Sequence, residues 1–501
     1  MTTKPSLPAL LIAALLVLLT GCGSEAPEAE SAYVVETIQT PPGLVPEVGA
    51  IDFMPDGRLV AAFHRGEVMT YDPDTEAWDL FAHGLHDPLG IKAISNHEVL
   101  VTQRPELTRL HDTNQDGRAE RYETVTDDFG MSGNYHEFLF GPAEGPDGHL
   151  YISLNTASKF ADVWDIMRGE FNPQGRPGRM YTAVPYRGWV MRYNPETDSL
   201  APYASGFRSP NGLVFDPDGR LLVTDNQGDW LGTSKLYHVQ RGAFYGHPQS
   251  LVWEDGMGDI QPLDLPVPVL NKMRTKASVL FPQGLLANSP TQPVVDRTGG
   301  RFGPFEDQLL IGEMNHSRIM RVMLEEVDGA VQGAATTLID TATAHETIPL
   351  RIGNNRLAFA PDGSLWVGQT DHGWPGDQGI QRIRWTGRTP TAVSDMRLTG
   401  DGFELTFTKP LRAASAQADS AYQFTRYYYE YHRDYGSDRM DVQPVDVTNA
   451  EMSDDGRRVT LTLDELVPGY VYQLELSGLQ TRDGDAATIR PLYYTLNRTR
   501  P

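Results

Sequence analysis

The chain of 501 residues contains one cysteine. That scarcity excludes an internal disulfide, a thiolate zinc site, an iron–sulfur cluster and a Cys-x-x-Cys-His haem attachment. Positive charge is also short: 42 Lys and Arg stand against 66 Asp and Glu, a formal net charge of −24. A surface this acidic repels phosphate backbones, so nucleic acid is not an expected partner. After residue 22 no run is long and apolar enough to cross a bilayer. What the chain does have is 40% hydrophobic residues, enough for a sizeable core. Its 48 Gly and 36 Pro point to many short strands and turns rather than helices. The length suggests about two or three domains, or one repeat fold with a small domain beside it.

The single cysteine has a telling position. Lys4 gives a short positive start, residues 10–19 are apolar, and Leu19-Thr20-Gly21-Cys22 follows. The apolar run is too short for a mature membrane span and reads as a signal peptide. The Leu-x-Gly-Cys end resembles the bacterial lipoprotein signal, which implies removal of residues 1–21 and lipidation of Cys22. By the same resemblance Gly23, rather than Asp, after the cysteine favours the outer membrane. The expected place is therefore the bacterial cell envelope, with membrane contact through the lipid anchor only. Residues 22–39 then read as the anchor and an acidic tether.

One phrase recurs along the chain. It is written Phe53-Met54-Pro55-Asp56-Gly57-Arg58-Leu59-Val60, then Gly145-Pro146-Asp147-Gly148-His149-Leu150-Tyr151-Ile152. It returns as Asp216-Pro217-Asp218-Gly219-Arg220-Leu221 and as Ala360-Pro361-Asp362-Gly363-Ser364-Leu365. Each copy reads as strand, Pro-Asp-Gly turn, alternating strand. Weaker copies near Gly90 and Phe302 bring the units to six between about residues 40 and 387, which predicts a six-bladed β-propeller. After Arg388-Thr389-Pro390 the pattern changes to alternating strands, and residues 388–501 read as an immunoglobulin-like β-sandwich. The expected fold class is all-β. The aromatic stretch Tyr427-Tyr428-Tyr429-Glu430-Tyr431 reads either as strand packing or as a carbohydrate-binding surface.

Two stretches carry chemistry. In residues 112–123, Asp112, Asn114 and Asp116 supply oxygens at positions 1, 3 and 5, with Gly117 at 6 and Glu123 at 12. That is the spacing of an EF-hand calcium loop, with the Arg118 carbonyl at position 7. The second stretch is Gly206-Phe207-Arg208-Ser209-Pro210-Asn211-Gly212, running through Asp225-Asn226-Gln227-Gly228-Asp229-Trp230. With Asn134-Tyr135-His136 ahead of the Pro146-Asp147-Gly148 strand, it resembles the glucose/sorbosone dehydrogenases. These are six-bladed quinoproteins that use pyrroloquinoline quinone (PQQ) and calcium.

The resemblance implies His136 as general base, and Arg208 as the group that stabilises charge on the quinone oxygen and helps bind the cofactor with Asn211. It places cofactor-carboxylate arginines at Arg351 and Arg356. Asp225 and Asp229 stand where a second calcium would be held. The implied substrate is a small carbohydrate, namely a sugar, polyol or sugar aldehyde. Because the chain carries no haem motif, an external electron acceptor is needed. Two other readings stay open: a calcium-dependent lactonase or lyase with His136 as base, and a non-catalytic propeller that binds a glycan or a protein. Trp230 and Trp374 are further residues that would suit a sugar platform.

Overall fold

The computed structural model describes residues 31–165, 167–340 and 349–500. The signal peptide and Cys22 lie outside the described residues, as does the first part of the tether. Among the described residues no helix is long and apolar enough to cross a membrane.

Six antiparallel blades of four strands each form a propeller; five are separate sheets, and the fifth blade is the first half of an eight-stranded sheet. Their innermost strands are Val48–Phe53, Gly90–Ser95, Leu139–Glu144, Pro210–Phe215, Pro290–Val295 and Asn354–Phe359. Each innermost strand touches the next, and the sixth touches the first, so the ring closes. Closure uses the start of the chain. Tyr33–Ile38 pairs with Gly379–Trp385 as the outer strand of blade six. Residues 33–38 therefore belong to the propeller and not to the tether, which corrects the boundary read at residue 39. Pairing of the first and last strands removes an exposed sheet edge and ties the two ends of the ring.

The Pro-Asp-Gly repeat does the same work in four blades. Met54, Gly145, Asp216 and Ala360 each donate their N–H to the carbonyl four residues on. The glycine of each turn has positive φ, between 74° and 94°, which a side chain would resist. Near the axis the constraint is closeness. A Cβ on Gly90 would lie 1.5 Å from the Gly141 carbonyl oxygen of the next blade. Gly90→Ala is therefore expected to prevent ring closure and to lower the melting temperature sharply. A melting temperature equal to that of the wild type would show that the inner strands stand further apart.

The second part of the chain is a two-sheet sandwich. One sheet has the order Val393–Leu398, Gly402–Phe407, Arg458–Leu463, Val447–Met452. The other runs Leu492–Leu496, Tyr470–Leu476, Tyr422–Tyr429, Arg439–Val445. Phe403, Leu405, Phe424, Val459 and Tyr472 fill the space between them. The two parts are not separate bodies on a linker. Leu492–Leu496 pairs with Ala330–Asp340, the outer strand of blade five, so one eight-stranded sheet runs from propeller to sandwich. Met323, Val327 and Ala334 of blade five enter the sandwich core. The boundary at 387/388 is one of sequence order; the sheet crosses it.

Candidate functional site

A cavity of about 390 Å³ opens at the end of the propeller axis where inner strands begin and second strands end. His136, Arg208 and Ser289 precede inner strands, whereas His64, Asn226 and His372 follow second strands. Leu89, Phe138, Phe140 and Met314 give apolar wall. Loops placed by a rigid ring thus gather polar groups that are far apart in sequence.

His136 is the best-defined of them. Its Nδ1 lies 2.7 Å from the Thr156 carbonyl oxygen, which can only accept. Nδ1 therefore carries the proton, and Nε2 keeps a lone pair. Burial, then the Arg208 guanidinium, push its pKa down to about 3, against the pull of the Thr156 bond. The ring is neutral at physiological pH. Asn134 orients this segment by accepting the His136 N–H at 3.1 Å.

Arg208 is set by its backbone and by its neighbours. Asp225 accepts the N–H groups of Arg208 at 3.0 Å, Ser209 at 2.8 Å and Asn226 at 2.9 Å. The guanidinium lies across Gly228, where a Cβ would stand 2.2 Å from Arg208 Cδ. Its Nε is 3.9 Å from Asp229 Oδ1, and both atoms are buried without a hydrogen-bond partner. Arg179 joins it, with a buried Nε that also has no partner. Between the two stands Tyr435, whose ring centre is 4.3 Å from the Arg179 guanidinium carbon and 5.7 Å from that of Arg208.

Tyr435 comes from the sandwich. Its hairpin is strapped to the propeller by Gly436 N–H to the Gly228 carbonyl at 2.9 Å and by Ser437 N–H to the Gly232 carbonyl at 2.9 Å. Tyr431 donates its hydroxyl to the Gly246 carbonyl at 2.6 Å and packs on Trp230. The aromatic stretch read in the sequence as strand or sugar surface thus splits: Tyr427 is core, and Tyr435, just beyond it, faces the cavity.

The other sequence-derived site residues are placed differently. Arg356 is fully buried on the axis. Its Nε donates to the carbonyls of Gly49 at 2.8 Å and Leu89 at 3.0 Å, and its Nη1 reaches Asn211 and the Asn355 carbonyl. It ties blades one, two, four and six and stacks on Phe140. Asn211, the other cofactor residue, lines the cavity but gives its side-chain oxygen to Arg356. Arg351 turns away, with Nη1 on the Gln378 carbonyl at 2.7 Å. Both arginines spend donors on backbone carbonyls, although Arg356 Nη2 is buried without a partner.

Asp225 and Asp229 do not converge as metal ligands. Asp225 is consumed by three N–H groups and faces Lys235 across the strand pair, and burial pushes the Lys235 ammonium down to about 7. Asp229 faces His247 at 3.4 Å. In residues 112–123, Asp112 accepts the N–H groups of Asp116 at 3.1 Å and Gly117 at 3.0 Å. Asn114 accepts the Asp116 N–H, and Asp116 accepts the Arg118 N–H. Glu123 does not close this loop. It sits in the strand Arg121–Thr126, bonded to His111 at 3.0 Å and Arg121 at 2.8 Å, and Glu120 takes the Thr113 N–H instead. Trp230 is buried, whereas Trp374 is half-exposed at the cavity mouth.

Residues 33–282 match a family model described as a domain of unknown function, DUF7133. No curated protein matches the chain. Among solved structures, an oxidoreductase of Thermus thermophilus named as a glucose dehydrogenase is 18% identical, over 70% of this chain and 99% of that one, with a TM-score of 0.48. The PQQ-bound aldose sugar dehydrogenase of Streptomyces coelicolor is 16% identical, over 71% and 99%, with a TM-score of 0.47. The PQQ domain of a pyranose dehydrogenase from Coprinopsis cinerea is 13% identical, over 71% and 96%, with a TM-score of 0.45. At these identities the likeness concerns fold alone, and any function has to be argued from the cavity.

Proposed function

We propose that this chain is an envelope-anchored oxidoreductase that oxidises a hydroxyl of a small carbohydrate in the axial cavity, with PQQ as the cofactor and an external protein or quinone as electron acceptor. The observation that carries the reading is the pairing, in one cavity, of a neutral His136 of fixed tautomer with a cationic Arg208 that lacks a full set of partners.

The residues present fit such a cofactor. The unpartnered Nε atoms of Arg179 and Arg208 and the unpartnered Oδ1 of Asn226 are buried polar atoms that await a ligand. Two guanidinium groups held on one tyrosine ring suit carboxylates on a planar anion. Phe138, Phe140 and Met314 suit its flat faces. Arg179 and Arg208 would thus hold the carboxylates in place of Arg351 and Arg356. Bound there, PQQ would supply the hydride acceptor. His136 Nε2 takes the proton of the substrate hydroxyl, and the bond from its Nδ1 to Thr156 steadies the imidazolium that results. The apolar wall excludes water from the reacting face. No step in this reading passes through calcium.

The test is direct. The full chain is titrated with PQQ and its visible spectrum followed, then assayed by dye reduction with a panel of aldoses. Micromolar binding and turnover are expected, and absence of binding at micromolar cofactor would refute the reading. Arg208→Gln removes a charge-assisted contact worth about 1.5–3 kcal/mol, so the Kd for PQQ should rise about 10- to 100-fold.

A further inference from the structure

A second cluster in the same cavity is not used by that mechanism. His64 follows the second strand of blade one, with a side chain only 3% exposed. Its Nδ1 is 2.6 Å from Asp87 Oδ1, while its Nε2 is buried without a partner. Asp87 precedes blade two at φ 54°, a strained backbone for a residue with a side chain, and its Oδ2 accepts Arg104 Nε at 2.7 Å. His372, on a loop of blade six, lies face to face on His64 with ring centres 4.1 Å apart. Its Nε2 is 3.7 Å from the same Asp87 oxygen, its Nδ1 is 3.7 Å from Glu47 Oε2, and its side chain is 38% exposed. The three residues run from the buried side of the cavity, at His64, to its half-exposed rim, at His372.

Two histidines and a carboxylate suggest a metal, and among the described residues this is the one such convergence of three. The ring geometry argues otherwise. An imidazole binds a metal in the plane of its ring, and these rings are only 17° from parallel. Two stacked, nearly parallel rings offer no common point at which both lone pairs aim. Arg104 and Arg356 add positive charge nearby. The arrangement suits protons better. Against its burial, Asp87 is held down to about 2 by His64 and Arg104, so at rest it is anionic and keeps the proton on His64 Nδ1. His64 Nε2 then presents a lone pair.

We propose that His64, Asp87 and His372 form a proton relay from the cavity to solvent. One proton enters at His64 Nε2, the Nδ1 proton passes by way of Asp87 Oδ1 to His372, and one proton leaves from His372 beside Glu47. Charge is conserved, and His64 resets by exchanging its tautomer. The gap of 3.7 Å closes through a water or a small turn of the half-exposed His372. The relay rests on the proposed oxidation. Converting a hydroxyl to a carbonyl releases two electrons and two protons once a one-electron acceptor has taken the electrons, and both protons must leave the buried, reacting side of the cavity.

The experiment uses the full chain loaded with PQQ. His64→Ala should lower kcat about 10²-fold, the low end for a positioned acid–base group, with KM and PQQ affinity unchanged. Added imidazole should restore part of the rate. An unchanged kcat, or a loss that imidazole does not relieve, overturns the relay. Should His64→Ala not fold, His372→Gln replaces it, with a smaller loss and the same rescue. If the wild type turns over no sugar, the oxidation reading fails, and the relay is judged by NMR of 15N-labelled histidine. His372→Gln should then shift the His64 titration, which Asp87, Arg104, Arg356 and Glu47 also surround. A His64 titration indifferent to His372 overturns the relay.

Discussion

His136→Ala is expected to lower kcat about 10³-fold while the chain still binds PQQ, because a positioned general base contributes about 10²–10⁴. The ring makes no ion pair that folding needs, so the apo protein should keep its melting temperature within a few degrees. The pH profile gives the sharper check. A histidine base with an ordinary pKa would put the acid limb of kcat/KM near pH 6.5. Here burial and Arg208 push His136 down to about 3. The base stays in its neutral, competent form as pH falls, so the acid limb should lie below pH 6.5, with a plateau above it. Arg208 is the second cause of the depression, so Arg208→Gln should move the limb to higher pH. A limb that stays near 6.5 in the wild type would show that some other group accepts the proton. An anionic cofactor beside Arg208 would act in the same direction as Arg208→Gln, and His136 would become a stronger base once the cofactor is bound.

The propeller was legible because its turn chemistry repeats. Four Pro-Asp-Gly copies each need a positive φ at glycine, and that demand writes itself into the sequence. Closure by Tyr33–Ile38 was not legible, since one alternating strand of six residues carries no sign of its partner 340-odd residues on. The site was legible only in part. His136 and Arg208 stand in motifs whose spacing survives in one chain. Arg179 lies in an irregular segment without periodicity, and Tyr435 belongs to the other domain. His64 and His372 are brought together by ring closure, which no local pattern encodes. Glu123 shows the reverse error: the spacing of a calcium loop predicted convergence, but strand pairing with Glu106–His111 turned its side chain to His111. A periodic spacing fixes order along the chain, and strand pairing decides where the side chain points.

Arg356→Ala is expected to be strongly destabilising, by about 2–5 kcal/mol, from the cavity that truncating a large buried side chain leaves and the carbonyls that lose their donor. The guanidinium has no carboxylate partner, and burial alone pushes it down to about 9. It stays charged at pH 7 because carbonyl dipoles from four places in the ring converge on it. Without it, the carbonyls of Gly49, Leu89 and Asn211 lose a donor at the most crowded point of the axis. Each unsatisfied group costs about 1–3 kcal/mol, and the empty volume adds to that. Arg356→Met separates the terms, because it fills the space but supplies no donor. It should recover only part of the lost melting temperature. The pair also decides between the two roles open to this arginine. A cofactor ligand would leave the apo melting temperature intact in Arg356→Met and abolish the rise on adding PQQ. An axial tie lowers the apo melting temperature and leaves the PQQ-dependent rise in place. The second outcome is expected, since the described bonds of Arg356 all run to the ring itself.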